Sequence, residues 1–175
     1  MNIDEALGLI REVPDFPKPG ILFQDITPLL ADSKAFALVI EQISKGQTDF
    51  DHVAGMEARG FIFASAVAVH RSKGFLPIRK SGKLPNDTFI ESYGLEYGQD
   101  SLEIHQDACS QGDTVLIVDD VLATGGTACA AIRLINKTGA NVTDIAFLLE
   151  IASLNGRKHI AEQFPNIRIN SLKII

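Results

Sequence analysis

The sequence predicts an α/β fold: an open, mainly parallel sheet flanked by helices. Three observations carry this. From His52 onward, apolar runs of strand length alternate with stretches of helical period, and such repeats imply right-handed crossovers in one sheet. Thr114–Val118 is apolar on both faces, as a central strand covered on both sides must be. Finally, 175 residues with 46% hydrophobic and 22% charged side chains make one domain of ordinary globular composition, not a disordered chain.

The elements follow in order. Ile3, Leu7 and Ile10 stand at helical spacing behind Asn2, a good cap, and open the chain with a short amphipathic helix. Pro14, Pro17 and Pro19 then forbid helix and make a stiff segment ending at Gly20. A second helix starts near Asp32 or Ser33, buries Phe36, Val39, Ile40 and Ile43, and stops at Gly46. His52–Met56 is a strand, Gly60–His70 is apolar almost all round and reads as a buried helix, and Phe75–Ile78 is a strand again. Between Ile78 and Asp113 the repeat breaks; Thr88–Tyr93 and Ser101–His105 alternate like an antiparallel hairpin in a functional loop. After the central strand a helix carries Ala128, Ala131, Ile132 and Ile135 on one face and stops at Gly139. Asp144–Leu149 and Ile167–Ile169 complete the strands.

Composition excludes several functions. Sixteen Lys and Arg against 22 Asp and Glu give a net charge of -6, unfavourable for nucleic acid or an anionic membrane. The longest apolar stretch, near Phe61–Val69, is about half the roughly 20 residues of a spanning helix. The start Met1-Asn2-Ile3-Asp4-Glu5 has no signal-peptide pattern, and Cys109 and Cys129 are too few for a disulfide framework. A cytoplasmic protein is expected. No two of His52, His70, His105 and His159 have metal-ligand spacing. Arg71 and Arg157 read as solvated surface charges.

The chemistry concentrates in Val115–Thr127, where a buried strand runs into Asp119 and Asp120, then a Gly- and Thr-rich turn, then a helix. In open α/β sheets ligands bind beyond the carboxyl ends of the strands. Ala123, Thr124, Gly125, Gly126 and Thr127 offer main-chain N–H groups, two hydroxyls and a positive helix end, which together cradle a phosphate. Carboxylates beside a phosphate need a spacer. A ribose supplies it, giving hydroxyls to Asp119 and Asp120 and its 5′-phosphate to the turn. There is no Gly-Lys-Ser/Thr phosphate loop and no G-x-G-x-x-G after a strand, against an NTPase and a dinucleotide enzyme.

This thirteen-residue string resembles the signature of the type I phosphoribosyltransferases, which bind phosphoribosyl pyrophosphate. Pro14–Phe23, Asp25–Pro28, Glu57–Phe61, Arg79–Pro85 and Leu95–Gly98 resemble the family's adenine-using branch, in the family's order. The resemblance implies the type I fold as a single domain, with a small N-terminal hood over residues 1–30 and a flexible loop and hairpin over residues 79–106, and the reaction of adenine with phosphoribosyl pyrophosphate to AMP and pyrophosphate. It also implies Mg2+, held mainly by substrate and water without a dedicated protein cage, and a homodimer.

Roles follow from the resemblance and from the chemistry of each residue. Glu57, Ala58 and Arg59 would hold the pyrophosphate, across a cis Glu57–Ala58 bond. Arg79, Lys80 and Lys83 are the concentrated cations of an acidic chain, suited to a polyanion. A cation-like transition state must be shielded from water, so the Lys83–Gln99 stretch would form a lid that brings in Lys83, with Glu96 as acid/base for the purine ring and Tyr97 beside it. Phe23 and Ile151 would stack on the base, and the main chain of Leu22 would read its edge. Gln24 stands where many family members carry Arg. Two readings compete: the same chemistry on hypoxanthine, guanine or xanthine, and a regulator that senses phosphoribosyl pyrophosphate. The regulator lacks a basic face or an added DNA-binding module here.

Overall fold

The computed structural model describes residues 1–94 and 100–175. It falls into two compact units, Met1–Gln42 and Ile43–Ile175.

In the first unit, α1 (Ile3–Leu7) is closed by a reciprocal cap: the Glu5 N–H donates to Asn2 Oδ1 at 2.9 Å and the Asn2 N–H to Glu5 Oε2 at 2.8 Å. Strands β1 (Arg11–Pro14) and β2 (Leu22–Asp25) form an antiparallel pair joined by the proline-rich turn. A one-turn helix, α2 (Thr27–Ala31), was not legible, being too short for any period. The next helix, α3 (Ser33–Ser44), starts where expected because Asp32 Oδ1 accepts from the N–H groups of Lys34 and Ala35 at 3.0 and 2.9 Å.

The second unit is built on a seven-stranded sheet in the order β5-β6-β4-β3-β7-β8-β9. Its strands are β3 (His52–Met56), β4 (Gly74–Lys80), β5 (Thr88–Tyr93), β6 (Asp100–His105), β7 (Thr114–Leu122), β8 (Asn141–Glu150) and β9 (Arg168–Ile174). The β4-β3-β7-β8-β9 part is parallel; β5 and β6 add the antiparallel hairpin at one edge. Helices α4 (Arg59–His70), α5 (Gly126–Lys137) and α6 (Gly156–Gln163) make the crossovers. From β3 the chain steps outward one way to β4, whereas from β7 it steps the other way to β8 and β9. The strand order therefore reverses between β3 and β7, the point where open sheets leave a crevice.

Three expectations are corrected. Helix α4 is not buried all round: Phe63, Ala64, Val67 and Ala68 are covered, but Val69 is 81% and Ile62 38% exposed, as for any helix that covers a sheet on one side only. Strand β7 does not end at the acids but runs on to Leu122. Its longer partner β8 extends the ladder, pairing Asp119 with Phe147 and Leu122 with Glu150. Arg71 and Arg157 are not solvated charges. Arg71 donates to Ser44 O at 2.7 Å and lies over the Phe50 ring. Arg157 binds the buried Glu150 at 3.0 Å, Ile169 O at 2.6 Å and Ser171 Oγ at 3.2 Å. Among the described residues no helix is long and apolar enough to cross a membrane.

Candidate active site

At the reversal point the carboxyl ends of β3 and β7 open into a cleft of about 510 Å³. Glu57, Ala58 and Arg59 line it from the β3–α4 turn, Asp119 and Asp120 from β7, and Lys80 from the end of β4. The Glu57–Ala58 bond is cis, as the family resemblance implies. Asp120 is buried, and its Oδ2 forms an ion pair with Arg59 Nε at 2.5 Å. Burial and the Asp120 charge push the Asp119 carboxyl well above the ordinary range. Gly60 was quoted in a motif but given no role. A Cβ there would stand 2.5 Å from Asp119 Oδ1, so any side chain would push this carboxylate out of its place against the first turn of α4.

Beside the cleft lies a smaller hollow of about 70 Å³, lined by Ala123, Thr124, Gly125, Thr127 and Ala128 along with Asp119. Gly125 caps α5 with φ 85°. The bond from Cys129 N–H to the Gly125 carbonyl is 2.9 Å, which leaves the first-turn N–H groups, Gly126 and Thr127 included, without helical acceptors. The hollow thus combines free donors, hydroxyls and the positive end of a three-turn helix. Gly156, at the start of α6, was missed. A Cβ on it would lie 2.2 Å from the Ala123 carbonyl, so α6 buttresses the turn by backbone-to-backbone approach.

The basic segment is organised by buried acid. Glu57 Oε1 accepts from Lys80 N–H at 2.6 Å, and Oε2 from Arg79 Nε and Nη2 at 3.2 and 3.0 Å; Lys83 Nζ lies 3.5 Å from Oε1. Burial alone would raise the Glu57 pKa, but the Lys80 N–H, Arg79 and Lys83 outweigh it and hold it below the usual range. Lys80 pairs with Asp100 and donates to Tyr93 Oη at 3.2 Å; Tyr93 Oη in turn donates to Asp100 at 3.1 Å. Tyr93, a cleft-lining residue, had no signal in sequence beyond its place in a hairpin.

The other expected positions are placed less completely. In the first unit, Leu22 is 53% exposed, Phe23 packs edge-to-face on Phe16 at 5.1 Å, and Gln24 is buried with neither side-chain atom hydrogen-bonded. Ile151 follows β8 in the second unit, its N–H donating to the Leu122 carbonyl at 2.9 Å. Glu96 and Tyr97 lie outside the described residues.

A family model described as uracil phosphoribosyltransferase matches residues 99–174. The adenine phosphoribosyltransferase of Synechococcus sp. (strain JA-3-3Ab) is 54% identical over 161 residues, covering 90% of this chain and 92% of the relative. The chain belongs to the adenine phosphoribosyltransferase family. The uracil model spans the phosphate-turn half, whereas the segments that resemble adenine enzymes all precede residue 99. Solved structures of the family agree across the whole chain. The Thermoanaerobacter pseudethanolicus enzyme superposes with a TM-score of 0.91 at 47% identity, covering 99% of this chain and 100% of that one. The Saccharomyces cerevisiae enzyme, solved with an imino-altritol bisphosphate and adenine, gives a TM-score of 0.89 at 35% identity, with 97% of each chain covered. The fold is the type I phosphoribosyltransferase fold of this family.

Proposed function

We propose that this chain is a purine salvage enzyme that transfers the 5-phosphoribosyl group from phosphoribosyl pyrophosphate to adenine, releasing pyrophosphate and forming AMP. The observation that carries the reading is the adjacency, at the strand-order reversal, of a carboxylate pair and a helix-end hollow. The 5′-phosphate would sit on Ala123, Thr124, Gly125, Gly126 and Thr127. Ribose hydroxyls would donate to Asp119 and Asp120, so Arg59 would exchange its Asp120 partner for pyrophosphate, beside the Glu57–Ala58 main chain. Arg79, Lys80 and Lys83 supply further positive charge. Glu96 is proposed to handle the purine proton, with Tyr97 beside it, on the strength of the family resemblance. In domain terms, residues 1–30 form the base-binding hood and residues 79–106 the catalytic loop and hairpin of a single functional domain.

Among the described residues no three His, Cys, Asp or Glu side chains converge on a metal cage. The carboxylate oxygens of Glu57, Asp119 and Asp120 that line the cleft are hard donors of the kind Mg2+ takes, and the ion is proposed to be held mainly by substrate oxygens and water, as the family resemblance implies. Bound there, Mg2+ would neutralise charge on the departing pyrophosphate. The free thiols of Cys109 and Cys129 fit a reducing cytoplasm, and a homodimer is proposed on the strength of the family resemblance.

Selectivity for adenine would come from main-chain groups of β2. Opposite Leu22 in the ladder stands Pro14, which has no N–H to give. That leaves the Leu22 C=O without a donor from Pro14, and in this reading the Leu22 main chain offers its C=O to the 6-amino group of adenine and its N–H to N1. Hypoxanthine reverses that pattern, and backbone groups cannot switch roles. Pyrophosphate release assayed with a panel of bases tests the reading. The expected kcat/KM for adenine exceeds that for hypoxanthine by about 10⁴-fold, the discrimination a buried hydrogen-bond mismatch supports. Comparable use of the two bases would overturn it.

A further inference from the structure

Glu103, on β6, is 3% exposed and was not singled out by any motif. Its Oε1 accepts from the main-chain N–H groups of Lys83 and Leu84, both at 2.7 Å, and its Oε2 from Thr88 Oγ1 at 3.5 Å. Burial would raise its pKa, yet the N–H groups of Leu84, Gly82 and Lys83 overcome this and lower it, so the carboxylate is ionised and wrapped by backbone donors. Lys83 is thereby tethered three ways: its N–H to Glu103, its carbonyl to Arg79 Nη1 at 3.3 Å, and its ammonium 3.5 Å from Glu57. The ammonium contact is the loosest and the Lys83 side chain is 52% exposed, so it is free to move to an anion while its main chain stays fixed.

We propose that Glu103 is a positioning residue for Lys83, anchoring its main chain to the sheet so that the ammonium reaches pyrophosphate from a fixed base instead of riding on a moving loop. This rests on the assignment of Lys83 to pyrophosphate made above. The physical gain is entropic. A lysine on an untethered loop must order both loop and side chain when it binds an anion, whereas here only the side-chain torsions remain to be fixed.

The test uses the full chain, with inorganic pyrophosphate and ribose 5-phosphate as calorimetric probes. Glu103→Ala should weaken pyrophosphate binding about tenfold, the scale of one charge-assisted contact, and ribose 5-phosphate binding less than about twofold. Glu103→Gln keeps an acceptor oxygen for the two N–H groups and an amide donor for Thr88, so it should restore most of the loss. In a Lys83→Ala background, neither Glu103 change should weaken pyrophosphate further. Additive losses, or equal losses for both probes, would reduce Glu103 to general structure and overturn the inference. A Lys83→Ala variant with unchanged pyrophosphate affinity would overturn the site assignment and this inference together. Amide hydrogen exchange of the wild type reads the tether directly. The Lys83 and Leu84 amides should be protected, should keep most of that protection in Glu103→Gln and should lose it in Glu103→Ala; exchange at free-chain rates in the wild type would refute it even if Glu103→Ala failed to fold.

Discussion

Asp119 combines two demands that conflict in the free protein. It must face a ligand, yet it sits low in the cleft against Gly60 with the Asp120 charge next to it, and its raised pKa records the cost of keeping it ionised there. A ribose that donates hydroxyl hydrogens to both acids would relieve that cost on binding. Replacing both by amides, Asp119→Asn with Asp120→Asn, removes acceptors the ribose needs and also removes a charge repulsion. Turnover should fall about 10²-fold or more, since hydrogen bonds to charged groups contribute roughly 1.5–3 kcal/mol each. Circular dichroism should be unchanged, because Asp120 loses only a half-exposed arginine partner. Near-normal kcat/KM in the folded double variant would remove the carboxylates from ribose binding. These acids were legible in the sequence because of the whole thirteen-residue string around them, a buried strand followed by a Gly- and Thr-rich turn and a helix; the pair alone would have read as an acidic turn. Glu57 and Glu103 were not legible as organisers. Their partners lie roughly 20 residues away in sequence, and a glutamate looks the same whether it faces solvent or a ring of N–H groups.

At the level of elements, strand–helix alternation was readable wherever apolar side chains repeat. The strands β3, β4, β7 and β8 and the helices α3, α4 and α5 sit within a few residues of their expected positions. What escaped were pieces that bury little. Helix α6 covers only Gly156 and Ile160, so its sequence carries no helical period, and α2 spans a single turn. Helix α6 nevertheless braces the phosphate turn, with Gly125 and Gly156 in backbone contact: a Cβ on Gly125 would stand 2.8 Å from the Gly156 carbonyl. Gly156→Ala inserts a methyl group against the Ala123 backbone carbonyl, which cannot yield without moving the turn, and crowds the Leu122 side chain as well. The expected cost is about 1–3 kcal/mol of stability, seen as a lower Tm, together with weaker AMP binding, because the displaced turn carries the 5′-phosphate donors. A Gly156→Ala protein with wild-type Tm and AMP affinity would show that α6 does not brace the turn.

Taken as a whole, the molecule carries a net charge of -6, yet several of its acids are tied to particular partners. Lys137 and Arg133 hold Glu91 on β5 against α5, Arg157 and Ser171 hold Glu150 at the end of β8, and backbone donors hold Glu103 and Glu57. Each of these four carboxyls has its pKa lowered in the folded chain. The sign is then fixed. A group whose folded pKa lies below its unfolded value contributes its full stability above the unfolded value, near 4.5 for Glu, and loses it as pH falls through the folded value. Asp119 acts the other way: its raised pKa disfavours the folded state at neutral pH and ceases to do so once the unfolded chain also protonates. Four lowered groups, two tied to the Lys80–Leu84 segment, one on β5 and one on β8, act against one raised group in the cleft, and acid is expected to loosen the hairpin edge and the β8–β9 edge together. The Tm should hold steady from pH 7 to about 5.5 and fall progressively below about 4.5. In Asp119→Asn the same fall should persist, since the opposing group is gone and the four supporting ones remain. Thermal scans between pH 3 and 7 on both proteins decide it: a wild-type Tm that rises on acidification to pH 4 would mean that relief at Asp119 dominates the paired glutamates.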